Sequence, residues 1–79
     1  MKRRYTPKQG RYLSFIYWYA RLHGRAPSEA EMQTYFRVSP PSVHDMIVRM
    51  EACGLIERTP GQARSISVCV PGEDIPALE

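Results

Sequence analysis

Four side chains with hydrogen-bonding groups fall close together near the middle of the chain: Ser39, Ser42, His44 and Asp45. Hydroxyl and imidazole groups can donate or accept, whereas a carboxylate only accepts. Such groups can read the edges of bases, and Asp45 could accept from the amine of a cytosine. A purely structural interpretation also exists, in which Ser39 caps a helix and Asp45 favours the positive helix N-terminus.

The residue types that support catalysis or metal binding are present but badly spaced. Cys53 and Cys69 stand alone, and His23 and His44 lack the close pair spacing of a zinc finger. There is no glycine-rich phosphate loop, nucleophile elbow or pair of carboxylates on one helical face. Cys53, at the C-terminal end of a predicted helix, meets the negative end of the helix dipole, which opposes thiolate formation. We therefore expect no enzyme, no metal and no other cofactor.

The positive charge is concentrated in one part of the 79-residue chain. All 11 Lys and Arg residues lie in 1–64, whereas three of the 8 acids lie in 73–79. A basic body indicates a polyanionic partner, because cations that neutralise phosphates release counterions, although solvated surface charges look the same. The candidates for contact with a nucleic-acid backbone are the Lys2-Arg3-Arg4 arm, Lys8, Arg37, Arg49, Arg58, Gln62 and Arg64.

Capping patterns predict a long first helix. Thr6 can cap its start, Pro7 suits the first helical position, Gln9 completes a capping box, and Gly24 suits a left-handed C-terminal residue. The helical period predicts an apolar face opposite Ser14, Trp18 and Arg21. The predicted inward residues are Tyr12, Leu13, Phe15, Ile16, Tyr19 and Ala20.

The same signals predict two further helices. Ser28 with Glu31 forms a second capping box, and Ser39 followed by Pro40 opens a third helix that Gly54 closes. The predicted inward residues of these helices are Met32, Tyr35, Phe36, Val43, Met46, Ile47 and Met50.

Two strands, 55–58 and 65–70, follow the helices and are separated by a turn-rich segment. Three helices and a C-terminal hairpin give an α+β, mostly α, winged helix-turn-helix domain over 1–70, with a loose acidic tail at 71–79. The apolar stretch 12–20 is far shorter than the roughly 20 residues of a membrane span. We find no signal peptide, and we expect a cytoplasmic protein with reduced thiols.

In this fold the outward residues at the start of the third helix reach base edges in the major groove. With Val43, Ile47 and Met50 inward, the candidate base contacts are Ser39, Pro41, Ser42, His44 and Asp45.

The chain resembles the N-terminal DNA-binding domain of LexA-type repressors over residues 6–70. The resemblance lies in the order and spacing of TPKQ at 6–9, HGRAPSEAE at 23–31, SPPSVH at 39–44, GLIER at 54–58 and GQARSI at 61–66. It implies a third helix in the major groove, a wing on the flanking backbone, and repression by occupying a promoter.

The sequence departs from the family pattern in two respects. It stops after the wing, so we do not expect the self-cleavage performed by a second LexA domain. The glycine usual in the helix-turn-helix turn is replaced by Phe36 or Arg37, where a left-handed conformation would cost about 1–2 kcal/mol, so a different turn geometry is expected.

Tyr17 and Trp18 support an alternative function. They lie at the rim of the apolar face of the first helix, and exposed aromatic residues are typical of interface centres. They could dock another protein, form a homodimer, or border the core beneath the N-terminal arm. A homodimer is expected for DNA binding, because one small domain covers little DNA and dimers grip two half-sites.

Overall fold

A computed structural model describes residues 5–76, and the Lys2-Arg3-Arg4 arm lies outside them. Its helices are α1 (Pro7–His23), α2 (Glu29–Phe36) and α3 (Pro40–Ala52), followed by strands β1 (Ile56–Glu57) and β2 (Ser67–Val68). A 3₁₀ turn at Gly72–Asp74 follows β2. This order is the predicted winged helix-turn-helix. No helix in 5–76 is long and apolar enough to cross a membrane.

Side-chain caps begin the helices where the sequence predicts. The Gln9 N–H donates to the Thr6 hydroxyl at 3.1 Å, and the Thr6 N–H donates to the Gln9 side chain at 3.0 Å. Ser28 and Glu31 form the same reciprocal pair at the start of α2. Each box satisfies backbone donors that have no partner inside the helix.

The helix-turn-helix turn keeps the left-handed geometry without a glycine. Arg37 has φ 56° and ψ 49°, and its N–H donates to the Gln33 carbonyl. The expectation of a different turn geometry is therefore wrong, since Arg37 itself adopts the conformation that glycine would take at lower cost.

The core lies where α1 and α3 meet α2 and the wing. Its centre contains Leu13, Met32, Val43, Ile47 and Met50, each with 0% exposure. Stacked rings extend it, with Tyr12 against Phe36 at 4.2 Å and Phe15 against Tyr35 at 4.3 Å between centroids.

Two helical residues depart from the predicted faces. Ser14 is buried, with no hydrogen-bond partner for its hydroxyl within 5–76, although the helical period places it on the polar side. Tyr35 is 42% exposed because it covers Phe15 from the outside instead of entering the core.

The wing strands are shorter than predicted. They pair antiparallel at Ile56 with Val68 and Glu57 with Ser67. Beyond that pair the Ser65 hydroxyl accepts from the Thr59 N–H at 2.9 Å and donates to the Thr59 carbonyl at 3.1 Å. The Ser65 side chain thus satisfies the backbone N–H and carbonyl of Thr59, which would otherwise be free to pair with the opposite strand.

The segment 71–76, where a loose acidic tail is predicted to begin, makes contacts with α1 and with Tyr5. The Tyr5 hydroxyl donates to the Asp74 carbonyl at 2.5 Å. A Cβ on Gly72 would lie 2.9 Å from Cζ of Tyr17, so a larger residue there would require the Tyr17 ring to move. Residues 77–79 lie outside the described part of the chain.

Candidate nucleic-acid interface

The N-terminal end of α3 presents the candidate base contacts to solvent. Val43, Ile47 and Met50 are fully buried, and the helical period then turns the intervening positions outward. The Ser39 and Ser42 hydroxyls lie 3.0 Å apart and hydrogen-bond each other. The exposed set is Ser39, Pro41, Ser42, His44 and Asp45.

His44 and Asp45 differ in their surroundings. The His44 Nδ1 lies 3.6 Å from a carboxylate oxygen of Glu29, and the His44 side chain is 57% exposed. Asp45 is also exposed and makes no ion pair with another residue of 5–76. His44 therefore offers an imidazole with an acidic neighbour, and Asp45 offers a carboxylate that no ion pair within 5–76 occupies.

Three of the candidate cations are exposed and make no ion pair within 5–76: Lys8 in the first turn of α1, Arg37 in the helix-turn-helix turn, and Arg49 in the last turn of α3. Gln62 is exposed at the wing tip, where its N–H donates to the Thr59 carbonyl at 3.1 Å. These groups are available to an external acceptor without breaking a contact between side chains.

Arg58 is turned toward the helices. Its Nε lies 3.1 Å from a carboxylate oxygen of Glu51, and its Nη1 lies 3.6 Å from a carboxylate oxygen of Glu29. Two carboxylates thus neutralise a cation that the sequence assigned to an outside partner.

Arg64 is also held inside the molecule. Its Nη1 lies 2.7 Å from Oε1 of Glu31 and donates to the Ala26 carbonyl at 3.0 Å. The Tyr19 hydroxyl donates to the other Glu31 oxygen. The Tyr19 hydroxyl, followed by the Ser28 N–H, lowers the pKa of Glu31 to about 2.

Sequence reasoning missed the contacts of Glu31 and Tyr19 in this cluster. Glu31 was recognised only as a capping-box residue, and Tyr19 only as part of an apolar face. Their spacing to Arg64 is long, so no local pattern could have joined them.

The aromatic pair on α1 is not an exposed patch. Tyr17 and Trp18 are half-buried, with ring centroids 4.9 Å apart. The Arg21 guanidinium lies 5.4 Å and 5.8 Å from these two rings, and Gly72 lies against Tyr17. The pair therefore lies at the rim of the core, with Gly72 against Tyr17 and the Arg21 guanidinium over both rings.

The described residues hold no cluster of three or more His, Cys, Asp or Glu side chains able to bind a metal. Cys53 is exposed and Cys69 is half-buried, and both are free thiols.

The chain is similar in sequence to a known family of DNA-binding domains. The family model described as LexA DNA binding domain matches residues 2–65. The chain is 34% identical over 70 residues to the LexA repressor of Thermosipho melanesiensis, covering 89% of this chain and 35% of that protein. It is 33% identical over 63 residues to the LexA repressor of Thermosipho africanus, covering 80% of this chain and 32% of that protein. The chain thus spans about a third of the length of these curated relatives.

Proposed function

The chain belongs to the LexA DNA-binding domain family, and we propose that it binds double-stranded DNA sequence-specifically and represses transcription by occupying a promoter. The observation that carries this proposal is the outward face of α3, where hydroxyl, imidazole and carboxylate groups stand exposed above a fully buried apolar stripe. The relatives named as repressors support the regulatory part.

In the proposed complex α3 enters the major groove by its N-terminal end. Ser42 and His44 donate to or accept from base edges, and Asp45 accepts from a cytosine amine. Ser39 and Pro41 contact the groove beside them. The Glu29 carboxylate, 3.6 Å from Nδ1 of His44, lies beside this imidazole on the side of α2.

Phosphates around the groove are held by the exposed cations. Lys8, Arg37 and Arg49 approach the backbone on the helical side, and Gln62 approaches it from the wing tip. Such contacts set the register of the protein on the duplex without reading sequence. Arg58 and Arg64 can join this set only by sharing guanidinium groups that already bind carboxylates.

Two copies bind two half-sites in this proposal, because a single domain of this size covers little DNA. Tyr17 and Trp18 contribute only their exposed edges to a contact between copies. With that pair half-buried, the observation that favoured a protein-docking function is lost. Sedimentation of the protein with a duplex carrying two half-sites should give a 2:1 complex, and a 1:1 complex at high protein concentration would contradict the dimer.

The decisive experiment is a selection of bound duplexes from a random-sequence pool, followed by titration of the selected and a scrambled duplex at several salt concentrations. We expect tighter binding of the selected duplex at every salt concentration, and an affinity for both that falls as salt rises. Equal affinity for both duplexes would contradict sequence-specific recognition. Binding that does not respond to salt would contradict backbone contact.

A further inference from the structure

One cluster of side chains joins the wing to both α1 and α2. Arg64, just before β2, bonds Glu31 in the first turn of α2 and the Ala26 carbonyl in the segment between α1 and α2. Tyr19 of α1 donates to the same carboxylate. Three parts of the chain that are distant in sequence therefore converge on one guanidinium-carboxylate pair.

The backbone of Arg64 is shaped for this contact. Its φ of 56° is left-handed, a conformation that a side-chain-bearing residue adopts at a cost. The guanidinium reaches back toward α2, with its side chain 31% exposed. The two hydrogen bonds that it makes there offset the cost of the backbone conformation.

The wing tip is held through the base of the wing, where Arg58 also pairs with Glu51 of α3 and Glu29 of α2. A cleft of about 560 Å³ separates it from the start of α2, with Gly61 and Gln62 on one wall and Pro27 and Ser28 on the other. The hairpin itself has only two paired residues in each strand. The position of the tip relative to α3 therefore depends on contacts at the base of the wing.

We propose that Arg64 is a positioning residue, which fixes the wing relative to the helices through Glu31 and Ala26, and does not act as a phosphate ligand. This inference rests on the proposed DNA-binding function, because it holds that Arg64 sets the orientation in which the wing meets DNA. It reverses the expected effect of removing an acidic residue. Neutralising Glu31 should weaken binding to a polyanion, although the protein gains net positive charge.

The test compares two substitutions that make the same change of charge. Glu31→Gln keeps the capping box, because glutamine also serves at that position, but it weakens the bond to Arg64. Glu57→Gln, on β1, removes an exposed carboxylate that makes no ion pair within 5–76. We expect Glu31→Gln to weaken binding of the selected duplex by up to about fivefold, the range for a partly exposed ion pair. Glu57→Gln should leave binding unchanged or make it slightly tighter.

Salt dependence separates positioning from phosphate contact. A lost phosphate contact reduces the magnitude of the slope of log K against log salt by about 0.9. Arg64→Ala should weaken binding with the slope retained, whereas Arg49→Ala should reduce it. Tyr19→Phe should give a smaller loss than Glu31→Gln in the same direction, with no change of charge. Tighter binding by Glu31→Gln, or a slope reduced by about 0.9 in Arg64→Ala, would overturn the proposal.

The contact of Arg64 with Glu31 and Ala26 can be called the wing anchor. Amide hydrogen exchange of the protein without DNA tests this anchor separately from DNA binding. The amides of Thr59 and Gln62, which are hydrogen-bonded within the wing, should exchange faster in Glu31→Gln and Arg64→Ala than in the parent or Glu57→Gln. Unchanged exchange in both variants would overturn the anchor even if DNA binding is intact. Faster exchange in a protein that binds no duplex would support the anchor and contradict the proposed function instead.

Discussion

The outward face of α3 and the wing use polar side chains in opposite ways. At the start of α3 the hydroxyls of Ser39 and Ser42 bond each other and Ser39 caps the helix by accepting from the Ser42 N–H, and the surrounding cations Arg37 and Arg49 have no carboxylate partner within 5–76. In the wing, Arg58 and Arg64 both turn inward to acidic residues of the helices. A count of basic residues therefore overestimates the charge that the wing offers to DNA.

The largest expected effect concerns the core that supports the α3 surface. Ile47→Ala should lower the free energy of unfolding by about 2–5 kcal/mol, because Ile47 is fully buried and its truncation leaves a cavity in the core. Val48→Ala, one residue on but 42% exposed, should change it by about 0.5 kcal/mol or less. Urea denaturation measures both. Equal losses would show that α3 does not present one inward and one outward face.

The next effect tests whether the outward face of α3 reads bases. Ser42→Ala combined with His44→Ala should flatten the preference among duplexes, at about 1–3 kcal/mol for each lost base contact. Nonspecific binding should remain. Ser67→Ala, an exposed hydroxyl in β2, serves as the control and should keep the parent's ranking. If the double variant also ranks a duplex panel as the parent does, α3 is not the reading helix.

The difference between the two kinds of arginine can be measured by salt titration. Arg49→Ala should reduce the magnitude of the salt slope by about 0.9, as expected for one lost phosphate contact. Arg58→Ala should reduce it less, because that guanidinium is already neutralised by Glu51 and Glu29. Equal reductions would mean that Arg58 leaves its carboxylates when DNA binds, and would remove the contrast between the two regions.

Glycine substitution should have opposite effects on stability at two exposed arginines. Arg37→Gly relieves a left-handed backbone and should stabilise the fold by up to about 1 kcal/mol, after allowing for the greater freedom of glycine in the unfolded chain. Arg49→Gly, in the last turn of α3, should destabilise it by about 1 kcal/mol. Thermal melting checks both. A loss of stability in Arg37→Gly would contradict the cost assigned to the turn.

The smallest expected effect appears in acid. The pKa of Glu31 is lowered to about 2 in the folded protein from an ordinary value of 4.5, so its stabilising contribution is complete above about pH 4.5. That contribution is lost as the pH falls toward 2, where the folded carboxylate takes up a proton. Melting temperatures of the parent and Glu31→Gln should therefore converge over this interval. A constant difference between parent and Glu31→Gln would contradict the lowered pKa.

The sequence alone determined the order of the elements and the starts of the helices. Capping boxes at Thr6 and Ser28 and the serine-proline start at Ser39 are local, so the residues that form each one are visible together in the sequence. The stripe of Val43, Ile47 and Met50 likewise follows from the helical period, and it fixes which residues of α3 face outward.

Only the tertiary structure decided which charged groups remain available. Arg64 meets Glu31 and Tyr19, Arg58 meets Glu51 and Glu29, and the 71–76 segment covers Tyr17 because folding brings distant parts of the chain together. An arginine that pairs with a carboxylate and one that faces solvent look the same in sequence, since periodicity and capping report only on neighbours a few residues apart. The same holds for the burial of Ser14 and the left-handed backbone of Arg37, which the surrounding packing selects against local preference.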